Sequence, residues 1–290
     1  MNEKNLIFVI NAAYIGQFKV TFRSLAERNA ASSFSVHLLY SALTEENRAD
    51  LERFVSALGS RMFFYEIDES VFAGLPKMGY DNAYTAYHKV LIPYVLSHLE
   101  RALYLDCDIV VRGDLTPLFE MPTDTLISAV NDEKVNKNHR DHVKRLTGSE
   151  DIPYFNSGVM LFDFTHRERI VPEEELLMYL REHLSEIRWH DQDILNHFYA
   201  KDDCTILDAK YNYVTTYRSV ADALFPLGRR SAVIVHYANW KPWNANYIGK
   251  FYRLYRKAYR ACAGEAGVSF LKKRTPAAQF KLIWKYLTKR

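Results

Sequence analysis

Apolar positions along this chain fall into two rhythms. Residues 6–10, Leu-Ile-Phe-Val-Ile, form an unbroken apolar run, the pattern of a strand covered on both faces. Residues 17–28 instead set Phe18, Phe22, Leu25 and Ala26 at helical spacing. A second apolar strand is predicted at 35–40. Thr44 then predicts a helix cap, with Glu45 and Glu46 in the positive first turn. Leu51, Phe54, Val55 and Leu58 make that helix's inner stripe, and Gly59 stops it. Residues 62–67 predict a third strand. The order β-α-β-α-β predicts a parallel sheet covered by helices.

The rhythm loosens afterwards. Residues 68–82 read as a loop, with Gly74, Pro76 and Gly79. Residues 83–99 read as helical, Pro93 either kinking the helix or opening its second half. Leu103, Tyr104 and Leu105 predict a buried strand, and residues 126–130 another. The polar stretch 131–153 is long for a compact domain and predicts a lid or binding loop. Residues 159–163 are apolar again. Pro172 opens a helix through Leu180, with Glu173, Glu174 and Glu175 in its first turn. Residues 232–235 predict a late buried strand ending at His236.

The strand at 103–105 runs into Asp106-Cys107-Asp108, followed by Ile-Val-Val. Side chains alternate along a strand, so an extended backbone through Cys107 points both carboxylates the same way. Two like charges fenced by apolar residues are unfavourable without something positive between them. Mg²⁺ or Mn²⁺ fits, taking one or two carboxylates and completing its shell with phosphate oxygens. The position past a strand's carboxyl end is where open α/β sheets bind ligands. The plainer alternative is a solvated turn with two exposed aspartates.

Composition and charge narrow the class only a little. At 290 residues, one main domain with an appendage is expected. The composition, 48% hydrophobic and 25% charged, is that of an ordinary globular protein. A formal charge of +3 is too small to argue for nucleic acid. Cys107, Cys204 and Cys262 lack metal-ligand spacing, which suits free thiols in a reducing, cytoplasmic setting. The start of the chain has no signal-peptide pattern, and no run approaches the roughly 20 apolar residues of a membrane span.

Four further blocks follow the aspartate pair: R-G-D-L-T-P-L-F from Arg112, P-Y-F-N-S-G-V-M-L-F from Pro153, W-H-D-Q-D-I-L-N from Trp189 and H-Y-A-N-W-K-P-W from His236. Each alone has a bland reading. His236 could be a satisfied core residue, Asn156 and Gly158 a turn before a strand, and Asp191-Gln192-Asp193 the charged start of a surface helix. Trp240, Pro242 and Trp243 could be plain packing. Together and in this order, the five blocks resemble glycosyltransferase family 8 over roughly residues 6–243.

That resemblance implies a GT-A type fold: a Rossmann-like, mostly parallel α/β sheet flanked by helices, here with a helical C-terminal extension. It implies a domain at 1–246 and a basic-aromatic extension at 247–290. It implies a retaining hexosyltransferase that uses a UDP-sugar, with galactose or glucose transferred to a glycan or lipid-linked saccharide, as in lipopolysaccharide or surface polysaccharide synthesis. Asp106, Asp108 and His236 match the ligands of Mn²⁺ (or Mg²⁺). Asn11, Tyr14, Lys89, Cys107 and Lys241 fall at nucleotide or diphosphate positions. Asp132 (or its neighbour Asn131), Asn156, Ser157, Asp191 and Gln192 fall at sugar or acceptor positions, with Asp191 and Gln192 the catalytic candidates. Gln192 is a poor nucleophile, which favours a front-face route in which the departing diphosphate takes the acceptor's proton.

Two features depart from the family pattern. The run Asn11-Ala12-Ala13-Tyr14 lacks the usual acidic residue, so Ala13 cannot hold a ribose hydroxyl. H-Y-A-N-W-K-P-W lacks the family's glycine and is one residue shorter. Residues 269–290 hold seven Lys or Arg and no Asp or Glu, interleaved with aromatic and aliphatic residues. Such a tail predicts peripheral attachment to an anionic membrane, on the inner face of the plasma membrane; packing on the domain is the alternative, and nucleic acid is not expected. Two other functions stay open: a sugar-nucleotide-binding protein without turnover, and a sugar-1-phosphate nucleotidyltransferase. The latter needs a Gly-rich phosphate loop, and residues 11–16 contain only Gly16.

Overall fold

The structure is a computed structural model that describes residues 4–77, 84–215, 231–238, 241–244 and 251–271. Trp240, the loop residues 78–82, Ala83 and the tail residues 272–290 lie outside the described residues.

The first third follows the apolar pattern. Strands β1 (Lys4–Ile10), β2 (Phe34–Tyr40) and β3 (Arg61–Glu66) alternate with helices α1 (Ile15–Arg28) and α2 (Glu45–Ala57). Thr44 caps α2 by accepting from the Asn47 N–H, and the Asn47 side chain returns the bond to the Thr44 N–H. Gly59 takes φ +73°, where a side chain would be strained.

Residues 84–99 are not one helix. A 3₁₀ helix spans Thr85–Leu91 and a short α3 spans Ile92–Leu96, with Pro93 in its first turn. Strand β4 (Arg101–Leu105) ends at Asp106, and β5 (Ile109–Val111) follows. The backbone does not stay extended between them, because the chain bends at Cys107 and Asp108. Helix α4 (Thr116–Glu120) leads to β6 (Ile127–Asn131). The polar stretch that follows is not a bare loop: it folds into α5 (Glu133–Asn138) and α6 (Arg140–Thr147). Strand β7 runs from Phe155 to Asp163, so Asn156 and Gly158 lie within a strand and not in a turn before one. Helices α7 (Glu173–Glu182) and α8 (Asp191–Tyr199), strands β8 (Cys204–Leu207), β9 (Tyr213–Val214) and β10 (Ile234–His236), and helix α9 (Tyr252–Ala261) complete the described elements.

The strands form two sheets. The larger has seven strands in the order β3-β2-β1-β4-β7-β6-β8, and only β7 runs against the rest. The smaller has the order β5-β10-β9. From β1 the chain first builds outward through β2 and β3, then returns to place β4 on the other side. That reversal opens a crevice past the carboxyl ends of β1 and β4. Asn11 follows β1 and Asp106 follows β4 directly. The described part of the C-terminal extension shares the main core: Tyr255, Ala258, Cys262 and Val268 are buried in the same cluster as Phe18, Phe22 and Val110.

Candidate active site

The crossing from β4 to β5 carries the chain from the large sheet to the small one, and it leaves Asp106 and Asp108 on either side of the bend. Thr21 of α1 pins this bend, its hydroxyl within 2.9 Å of both the Cys107 and the Ile109 carbonyls. Strand β10 pairs antiparallel with β5, setting His236 opposite Ile109. The imidazole therefore arrives between the carboxylates. His236 Nε2 lies 3.2 Å from Asp108 Oδ1 and 3.5 Å from Asp106 Oδ2. His236 is 2% exposed and Asp108 5%, so the pair is not a solvated turn with two exposed aspartates, and the buried imidazole faces two carboxylates and not apolar core.

Close approach of β7 explains the glycine of its motif. A Cβ on Gly158 would sit 2.2 Å from His236 Cε1 and 3.0 Å from Asp106 Oδ2, so any side chain there would displace the ring.

Two lysines complete the charge pattern. Lys89, from the 3₁₀ helix, bridges Asp106 at 2.9 Å and Asp191 at 3.1 Å. Lys241 pairs with Asp108 and also donates to the Ala238 carbonyl at 3.2 Å. Burial alone would raise Asp106, but Lys89 and then His236 outweigh it and hold its pKa at about 2. Asp108 is likewise held well below the carboxylate range by Lys241 and His236 against its burial. Burial would lower Lys89, and Asp106 with Asp191 raises it instead. His236 is raised to about 9 in the same way, the carboxylates overcoming burial. Burial, then the flanking carboxylates, pushes the Cys107 thiol far up, so it stays neutral.

A second network adjoins the first. Gln192 opens α8 and is buried there with Asp191 and Asp193, so the D-Q-D run is not the start of a surface helix. Gln192 Oε1 accepts from Asn156 Nδ2 at 3.0 Å and from the Ser157 N–H at 3.1 Å. Its Nε2 donates to Asp132 Oδ2 at 3.3 Å. Ser157 Oγ donates to Asp191 Oδ2 at 2.8 Å, and Asp191 leads back through Lys89 to Asp106. Asp193 faces away, accepting from Tyr154 OH at 2.5 Å and from the Arg188 N–H at 2.6 Å. It anchors the turn that presents Gln192. His190, just before, sits at φ 49°, a costly conformation for a residue with a side chain.

The nucleotide-side candidates stand at the rim. Asn11 Nδ2 donates to Thr85 Oγ1 at 2.9 Å, and its Oδ1 accepts from the Ala13 N–H at 3.0 Å. Tyr14 closes the short 3₁₀ helix Ala12–Tyr14 and packs half-buried on the core. Motif reasoning missed three residues: Thr21, Tyr104, whose hydroxyl donates to Asp106 Oδ1 at 2.5 Å, and Asn212, which touches both His236 and Asn156. The two-residue alternation through β4 places Tyr104 on the face of Asp106. Thr21 and Asn212 carry no sequence signal.

The donor set suits a divalent cation. Asp106, Asp108 and His236 can each offer an atom, all within 4.8 Å of one another. Asp108 Oδ1 and His236 Nε2 are buried and face each other at 3.2 Å without hydrogen-bond geometry, as two ligands of one ion would. Two carboxylates and an imidazole match Mn²⁺ or Mg²⁺ better than a thiol-seeking metal.

The family model described as glycosyl transferase family 8 matches residues 5–247. The chain belongs to that family. Among family 8 relatives, it is 26% identical to a lipopolysaccharide 1,2-glucosyltransferase of Escherichia coli, over 86% of this chain and 76% of that one. It is 28% identical to glycosyltransferase GlyF of Streptococcus pneumoniae, over 87% and 60%, and 22% identical to a putative glycosyltransferase of Haemophilus influenzae, over 74% and 65%. The chain thus spans less than two thirds of the latter two. Its fold is similar to that of the galactosyltransferase LgtC solved with donor and acceptor sugar analogues. That match has a TM-score of 0.76 at 21% identity and covers 96% of this chain and all of that one. GlyE of S. pneumoniae aligns with a TM-score of 0.65 at 20% identity, over 95% and 66%. The GT-A architecture expected of family 8 is therefore the architecture of this chain.

Proposed function

We propose that this chain transfers a hexose, galactose or glucose, from a UDP-sugar to a saccharide or lipid-linked acceptor, with retention at the anomeric carbon, in the assembly of lipopolysaccharide or another surface glycan. The convergence of Asp106, Asp108 and His236 beside the Gln192 network carries this reading. The three residues would hold Mn²⁺, with Mg²⁺ the substitute, and the ion would supply positive charge to the leaving diphosphate. Lys241 and Lys89 border the same space and can pair with phosphate oxygens. Asn11 and Tyr14, past the end of β1, would receive the base, and the Cys107 backbone passes between the two aspartates.

Asp191, Gln192, Asn156, Ser157 and Asp132 would hold the hydroxyls of the transferred sugar. Retention follows from what these side chains cannot do. Asp106 and Asp108 would hold the ion, Asp191 is committed to Lys89 and Ser157, Asp132 accepts from Asn156 and Gln192 and would bind a hydroxyl, and Gln192 cannot form a good covalent intermediate. A front-face displacement needs no protein base, because the oxygen of the departing diphosphate takes the acceptor's proton. Residues 1–246 would then do the chemistry by positioning and electrostatics. Nucleoside diphosphate release should appear for one sugar nucleotide of a panel with Mn²⁺, and NMR of the product should show an α-linkage from an α-donor. A β-linked product would overturn the mechanism, and silence with every donor would favour a binding protein.

The extension at 247–290 would hold the protein on the cytoplasmic face of an anionic membrane. Among the described residues, α9 turns Arg253, Arg256, Lys257 and Arg260 outward and Tyr255 and Ala258 inward, and no helix is long and apolar enough to cross a bilayer. Each basic residue near such a surface contributes about 1 kcal/mol. Removing residues 269–290, with their seven basic residues, and replacing those four by Gln should abolish co-sedimentation with phosphatidylserine vesicles at low salt and leave donor hydrolysis in solution nearly unchanged; equal sedimentation would remove the membrane role.

A further inference from the structure

Two backbone N–H groups fix the polarity of the Gln192, Asn156 and Asn212 amides. The Ser157 N–H can only donate, so the Gln192 atom it meets at 3.1 Å is an oxygen. The Gly158 N–H can only donate, so the Asn156 atom 3.1 Å away is also an oxygen. The Asn156 nitrogen then points to Gln192 Oε1 and Asp132 Oδ2, at 3.0 and 3.2 Å. Asn156 Oδ1 meets Asn212 at 2.8 Å, and Asn212 must present its nitrogen there. That leaves the Asn212 oxygen facing His236 Nδ1 at 2.9 Å. An oxygen accepts, so Nδ1 carries the hydrogen. In the neutral ring the lone pair is then on Nε2, the atom turned toward Asp106 and Asp108. Asn212 is 3% exposed, and no water need be invoked between these groups.

We infer that Asn212 is a positioning residue of the metal site, which holds His236 with Nδ1 protonated and Nε2 aimed at the aspartate pair, and ties that ring to Asn156 and Gln192. The inference rests on the reading of Asp106, Asp108 and His236 as metal ligands. Groups that orient a ligating histidine typically change metal affinity about 10- to 100-fold when removed. The rigid amide chain adds a second role. One end of Asn212 serves the ion and the other serves Asn156, which borders the sugar position.

Two substitutions separate these ends. Asn212→Leu removes both bonds. Asn212→Asp keeps the acceptor for Nδ1–H and loses the donor to Asn156 Oδ1, while matching the size of Asn. Mn²⁺ binding to the full chain, without donor, is read from the electron paramagnetic resonance signal of the free ion. Affinities for UDP and for a UDP-hexose are read by calorimetry at saturating Mn²⁺. Asn212→Leu should weaken Mn²⁺ by about 10-fold or more, and Asn212→Asp should restore most of that loss. Asn212→Asp should nevertheless lose the extra affinity that the hexose adds over UDP alone. A packing role alone would leave Asn212→Asp like the native chain in both measurements, because Asp fills the same space; recovery of Mn²⁺ without recovery of the hexose increment is what positioning alone gives. Mn²⁺ binding unchanged in Asn212→Leu, or equally weak in both variants, would overturn the inference. Asp106→Asn run alongside separates the two failures: if it too binds Mn²⁺ normally, the metal assignment is what has failed.

Discussion

Asp108 is the most heavily compensated residue of the site. Its buried carboxylate meets Lys241 and His236 together, and Asp106 meets Lys89. From the sequence alone the two aspartates are a self-repelling pair that only an ion relieves. Folding brings the relief from elsewhere in the chain, from positions 89, 236 and 241. On the proposed function, an arriving cation would compete with Lys241 for Asp108, whereas an arriving diphosphate would give that lysine a new partner. Lys241→Met should act in opposite directions on the two: tighter Mn²⁺ alone, because Asp108 is released, and weaker UDP in the presence of Mn²⁺. Calorimetric titrations of each would show it, and parallel losses in both would contradict the competition. Loss of one charge-assisted bond to phosphate should cost roughly 1.5–3 kcal/mol of UDP binding.

At the scale of elements, β7 decides how closely the site can assemble. Its glycine leaves room for the imidazole edge, so Gly158→Ala should abolish Mn²⁺ binding by pushing His236 out of line. The strand itself should persist, because its neighbours β4 and β6 pair through the backbone. Mn²⁺ titration together with a thermal melt checks this: normal binding with the methyl in place would mean that β7 yields easily. The same strand marks where sequence reading runs out. The apolar runs of β1, β2 and β4 announce themselves because both faces are covered. Phe155-Asn156-Ser157-Gly158 does not, since a strand interior carrying Asn, Ser and Gly looks like a turn until its polar partners on α8 are known. The stretch over α5 and α6 hid its helices for a related reason: only Val135, His142, Val143, Leu146 and Thr147 of them are buried, too few for a clear stripe. The clustering of Asp106, Asp108 and His236 is legible through motif order, and Asn212 is not, because the run K-Y-N-Y-V has no chemistry of its own until β10 passes beside it.

For the molecule as a whole, the C-terminal segment is built into the domain by one buried cation and one missing side chain. Lys19, fully buried in α1, bonds Asp50 of α2 at 2.6 Å and the Ala266 carbonyl at 3.1 Å. Gly16 lets the chain lie against the start of α1: a Cβ there would be 2.2 Å from the Gly267 oxygen and 2.6 Å from Phe270. Phe270 in turn packs edge-on against Trp243 of the K-P-W block at 5.7 Å. Gly16→Ala should therefore speed hydrogen exchange across residues 262–271 and leave β1 and β4 protected, overpacking of this kind costing about 1–3 kcal/mol. Unchanged exchange over that segment would show that the contact is dispensable.

The lysines around the aspartates have a consequence for life without the ion. Many small metalloproteins unravel when a chelator strips them, because nothing else neutralises their ligands. Here the chain carries its own counter-charges, already seated. Stripping a divalent ion from the cluster would then leave an intact protein, ready to bind the ion again with no need for new synthesis.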